Sequence, residues 1–204
     1  MKKVIKYVLP VVVLLVIAVS VFKKVNINPN LSVGDRIDSL NGVYVYYNGG
    51  VSHTGDRNTA VDGYNLGITY QCVEFVKRYY YEYYGHKMPD SYGNAKDFFD
   101  PTLADSTLNT KRALEQFANP SKSRPREGDL VVYTPTLWNR YGHVAIVSSV
   151  SNDFVEIIQQ NPGPFAAARE RYRVLKDENN WQIVNPRILG WLRMPPYENI
   201  GDPI

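Results

Sequence analysis

The most reactive side chains in this sequence are one cysteine, Cys72, and one histidine placed just before an apolar run, His143. A thiolate beside an imidazole can attack a carbonyl carbon, and the imidazole can then protonate the leaving group. Cys72 lies in the stretch TYQCVEFVKRYYYEYYG, residues 69–85. Phe75, Val76, Tyr79, Tyr80 and Tyr83 follow it at the offsets of an amphipathic helix's apolar stripe. Thr69 reads as the N-cap of that helix and Gly85 as its stop. Cys72 then sits in the first turn, where unpaired N–H groups and the helix dipole favour a thiolate. Glu74 and Arg78, four apart, fall on another face. The competing reading is a buried cysteine that merely opens a core stripe.

The chain has three histidines. His53 lies in a polar stretch, and His86 follows the helix stop. His143 is preceded by Gly142 and followed by an apolar strand, whose face it shares with Ala145 and Val147. The next apolar run, after a turn at residues 151–153, returns antiparallel. On it Val155, Ile157, Gln159 and Asn161 share one face, and Glu156, Ile158 and Gln160 the other. Gln159 or Asn161 therefore comes close to His143, and either amide oxygen can accept its Nδ1 hydrogen and fix the tautomer. Glu156 points the wrong way.

These side chains need a helix and a sheet to hold them. A short strand is expected at residues 42–47, a long polar loop at 51–68, and short helices at 94–99 and 111–118. Apolar runs bounded by turns predict strands at 130–133, 143–150, 154–160, near 174, and at 188–194. Helices first and closely spaced strands later give an α+β fold, with the cysteine helix on an antiparallel sheet or small barrel.

Composition bounds the rest. Hydrophobic residues make up 44% and charged residues 21%, a globular balance. Sixteen tyrosines are an unusual number and suit the lining of a groove. The net charge of +3 comes from five lysines around an apolar N-terminal run. Without them 18 basic residues face 20 acidic ones, which gives no basis for nucleic-acid binding. Residues 1–24 read as a membrane anchor or a cleaved signal segment, with Ala18-Val19-Ser20 as an acceptable cleavage site. Residues 25–39 read as a spacer and 40–204 as the domain. Either reading of the leader places that domain outside the cytoplasm, in the cell envelope or secreted. One cysteine allows no internal disulfide, and no metal-ligand spacing is seen, so neither metal nor cofactor is expected.

Three segments, YQCVEFVKRYYYEYYG, YGHVAIV and VEIIQQN, together resemble the CHAP family of cysteine, histidine-dependent amidohydrolases/peptidases over about residues 40–194. Within it, QCVEF and the later ILGW are most similar to the glutathionylspermidine-type amidase domains. The resemblance implies a papain-like fold, Cys72 as nucleophile and His143 as general base. It also implies Gln71, or nearby backbone amides including that of Cys72, as oxyanion donors. The family's usual Glu-Gln-Asn triplet is here Gln159-Gln160-Asn161, so a neutral amide stands in the glutamate position. The implied activity is amide hydrolysis through a thioester, on peptidoglycan peptides or on a glutathione–polyamine conjugate, with a catalytically weak wall-binding module as the alternative.

Overall fold

A computed structural model describes the backbone of residues 2–196 and the side chains of residues 7–21 and 23–196. Its largest unit is an eight-stranded sheet with the order β11-β10-β9-β8-β7-β12-β6-β5. The strands are β5 (Thr107–Asn109), β6 (Leu114–Ala118), β7 (Leu130–Tyr133), β8 (His143–Val150), β9 (Phe154–Ile158), β10 (Arg169–Asp177), β11 (Asn180–Ile183) and β12 (Ile188–Arg193). Every pairing is antiparallel. Each of β7, β8, β9 and β12 alternates its apolar side chains between two faces, and each face is buried against its own cluster. Ser121, after β6, exchanges backbone hydrogen bonds with Trp181 of β11, so the sheet curls until its two ends approach.

One face carries helix α2 (Cys72–Tyr84), with Phe75, Val76, Tyr79 and Tyr80 packed on Leu130, Val132, Val144 and Ile146. Tyr80 is fully buried, and its hydroxyl donates to the carbonyl of Gly128. Tyr83, the last residue of the expected stripe, is 49% exposed, because the helix has run past the sheet by then. Two hairpins flank α2. One pairs β1 (Arg36–Leu40) with β2 (Val43–Tyr46), and the other pairs β3 (Arg57–Thr59) with β4 (Asn65–Ile68). Ordered structure thus begins inside the stretch read as a spacer, and the expected polar loop at 51–68 contains a hairpin.

The expected helix at residues 111–118 is replaced by β6. Its residues are good helix formers, but Leu114, Gln116 and Phe117 are buried between β5 and β12, and sheet pairing overrides local propensity. The short helix expected at 94–99 is a 3₁₀ turn, Ala95–Phe98.

The N-terminal segment forms α1 (Lys2–Lys24), with Tyr7, Leu14 and Val16 among its exposed apolar side chains. Among the described residues no helix is long and apolar enough to cross a membrane.

Candidate active site

Cys72 is the first residue of α2, and Gln71 before it, in extended conformation, is the N-cap. The sequence pointed to Thr69 for that role. The first helical bond is from the amide of Phe75 to the carbonyl of Gln71, so the amides of Cys72, Val73 and Glu74 are free of the helix ladder. Those of Cys72 and Val73 approach the sulfur, and so does the amide of Val144, the residue after His143. The thiol and the imidazole are thereby brought to the start of one strand, although no hydrogen bond joins them among the described residues.

His143 begins β8 opposite Tyr133 of β7. Its Nε2 lies 2.8 Å from Oε1 of Gln159. Gln159 turns its own amide nitrogen toward the carbonyl of Ala167, so the oxygen faces the ring and Nε2 is the donor. This corrects the expected contact at Nδ1. With Nε2 protonated, Nδ1 carries the bare lone pair and is the basic atom.

Among the described residues no hydrogen bond joins Asn161 to His143. Its φ is +58°, so the chain turns out of the sheet there. Its amide donates instead to Val51 O and to Oε1 of Gln71, both at 2.9 Å. Gln71 in turn donates to the carbonyl of His53. Gln71 and Asn161 thus form a bracket that ties the front of α2 to two loops. One of the two amide hydrogens of Gln71 is committed to that bracket, which leaves the helix amides as the better oxyanion donors.

The electrostatics differ from the expectation of a ready thiolate. Burial pushes the Cys72 thiol up to about 11, against the pull of the three amides. Burial also pushes His143 down to about 4, a shift the Gln159 hydrogen bond opposes and the Arg187 guanidinium reinforces. Both groups are neutral at pH 7.

The sequence reading missed a buried network behind Cys72. Arg78 Nε donates to Glu74 at 2.6 Å, and the pair is buried. Gln160, with 0% exposure, donates to Glu74 Oε2 at 2.8 Å and to the Gln71 carbonyl at 3.0 Å, and accepts from the amide of Tyr46 at 2.8 Å. Asn58 also donates to Glu74. Gly67 lets the second hairpin close on this network: its φ is +125°, and a Cβ there would meet the Glu74 backbone at 3.2 Å. The signal for Gln160 was present, since alternation puts it on the face of Ile158, toward the helix.

His143 and Gln159 line an open cleft of about 590 Å³. Tyr133, Tyr172, Glu170 and Arg187 also face it.

Residues 62–161 match the CHAP domain family. Trypanothione synthetase of Crithidia fasciculata is 27% identical over 156 residues, and glutathionylspermidine synthase of the same organism is 28% identical over 150. These alignments cover 72% and 67% of this chain but only 24% and 20% of those proteins. The solved structure of Ly7917 covers 48% of this chain and 40% of its own, at 20% identity and a TM-score of 0.28, too loose a likeness to build on.

Proposed function

We propose that the chain, whose residues 62–161 match the CHAP domain family, is a cysteine-dependent amide hydrolase that works through a thioester. The observation that carries this reading is the meeting of the front of α2 with the start of β8. There the Cys72 sulfur approaches Val144 N–H, and Gln159 holds Nε2–H of the adjacent His143. With both partners neutral at rest, the thiol proton passes to Nδ1 of His143 as sulfur bonds to the substrate carbonyl. Amides at the front of α2 take the charge on the carbonyl oxygen. His143 then protonates the departing amine, and a thioester on Cys72 remains. Water, deprotonated by His143, cleaves it and releases the acid.

The first substrate is a peptidoglycan peptide, supported by the basic and apolar N-terminal segment, which would hold the domain at the membrane on the envelope side. A second reading is supported by the relatives named for glutathionylspermidine and trypanothione: release of a polyamine from a glutathione conjugate. The test is incubation of the purified chain with peptidoglycan and, separately, with glutathionylspermidine, with products identified by mass. New amine ends on wall peptides support the first reading and free spermidine the second. No product from either leaves a wall-binding module and overturns the hydrolase.

A further inference from the structure

The loop between β7 and β8 holds two large apolar side chains out at its tip. Leu137 is 99% exposed and Trp138 79%. They are the central residues of a turn in which Thr136 and Asn139 exchange backbone hydrogen bonds at 2.8 and 3.2 Å. Asn139 braces that turn. Its side-chain amide donates to the carbonyl of Gly142 at 2.7 Å, and its Oδ1 accepts from the amide of Tyr141 at 3.1 Å. The Tyr141 carbonyl accepts in turn from the amide of Lys96, which ties the loop to the 3₁₀ turn. Turn tips favour small and polar residues, and packing within the chain gives no reason for a Leu-Trp pair held out in this way.

The same tip meets the end of α1. Lys23 Nζ lies 3.5 Å from the carbonyl of Trp138 and 5.7 Å from the centre of its ring. The Lys23 carbonyl accepts from the amide of Ser52 at 2.9 Å, and a Cβ on Gly50 would overlap that carbonyl, so the end of the helix is seated on the domain. Farther back, Val11 through Ile17 are all exposed, right round the helix, and neither core cluster includes them. The charge beside these apolar side chains has one sign. Residues 1–34 and 134–142 hold no Asp or Glu, while Lys24 and Arg140 are exposed.

We infer that the β7–β8 loop docks on the surface of a lipid bilayer, with Leu137 and Trp138 entering the interface beside α1 and Lys23, Lys24 and Arg140 among anionic head groups. Tryptophan suits that boundary, since its ring is apolar and its N–H stays within reach of water. Each basic side chain adds attraction to anionic lipid, and carboxylates, which would be repelled, are missing from both segments. A protein partner would have to cover the loop and a helix exposed all round, whereas a bilayer covers both at once. Docking asks only that these side chains reach the interface, and α1 need not cross it. Because Lys23 and Trp138 also line the cleft of His143 and Gln159, that cleft opens at the lipid surface. The inference rests on the membrane placement in the proposed function and not on hydrolysis there.

Tryptophan emission tests the docking directly. The full chain is reconstituted from detergent with vesicles of phosphatidylcholine and phosphatidylglycerol and floated on a density gradient. Its emission is then compared with and without bromine on the lipid acyl chains, which quenches only a ring that reaches it. Trp191 is fully buried, and Trp181 is half-buried under Arg124 and Lys176, so Trp138 is the tryptophan open to lipid. About a third of the parent's emission, one ring of three, should be lost to brominated lipid, and none of it in Trp138→Phe. Leu137→Glu, which puts a carboxylate at the tip, should also abolish the quenching, and Leu137→Ile should keep it. All three variants change exposed side chains and should melt with the parent. Flotation with equal quenching in parent and Trp138→Phe, or with none in the parent, overturns the docking and leaves the membrane placement intact. A chain that stays at the bottom of the gradient overturns both, and hydrolysis of a soluble substrate by that same chain would leave the amide hydrolase standing.

Discussion

At the scale of single residues, the orientation of His143 depends on a neutral amide. Gln159→Ala leaves Nε2–H of a largely buried ring without its acceptor, a loss of about 1–3 kcal/mol, or roughly ten- to a hundredfold in kcat. Steady-state rates on the substrate identified by product analysis check this. Gln159→Glu should act through charge. A carboxylate at the same 2.8 Å contact stabilises the imidazolium and raises the depressed pKa of His143. The acid limb of the kcat/KM profile, which reports protonation of the base, should then move to higher pH. An unmoved limb would mean that His143 is not the titrating base. The placement of these residues was partly legible in the sequence. Strand alternation separated Gln159 from Gln160 correctly, and a hairpin returning to His143 followed from the turn at residues 151–153. Asn161 was misplaced because alternation assumes extended backbone, and the chain leaves the sheet at its positive φ.

At the scale of elements, the front of α2 is held by the Glu74–Arg78–Gln160 network. Truncating one partner leaves the other charge buried. Glu74→Gln should therefore cost about 3–5 kcal/mol, as measured by denaturant unfolding. Gln160→Ala removes the donor to the Gln71 carbonyl. It should lower kcat more than it lowers stability if that bond sets the placement of Cys72. An equal loss in both would assign Gln160 to the fold alone. The sequence placed Glu74 and Arg78 on one face of the helix, away from the apolar stripe, but spacing gives the face and not what covers it. Here the β1–β2 and β3–β4 hairpins supply that cover through Tyr44, Tyr46 and Asn58. The helix mistaken at residues 111–118 has the same origin, since the strands that capture β6 lie far from it in sequence or are too short to predict.

At the scale of the whole molecule, the depressed His143 and the raised Cys72 set the edges of the stability profile. His143 stays neutral in the fold down to about pH 4, whereas the unfolded chain takes up its proton near 6.5. Stability should therefore fall as pH drops from about 6.5 toward 4. Cys72 keeps its proton in the fold up to about 11, against about 9 unfolded, so stability should also fall as pH rises from 9 to 11. In melting curves across pH, His143→Gln should flatten the acid slope and Cys72→Ala the alkaline one. The curl of the sheet that sets this enclosure was not readable, because the contact of Ser121 with Trp181 joins segments sixty positions apart. Central to the account is that one sulfur performs the attack. The most direct measurement is the rate of amide hydrolysis by Cys72→Ala beside the parent chain, on the same substrate and with matched melting temperatures. A fall of about a thousandfold or more is predicted; a variant that still hydrolyses at the parent rate would contradict the assignment of Cys72 as nucleophile.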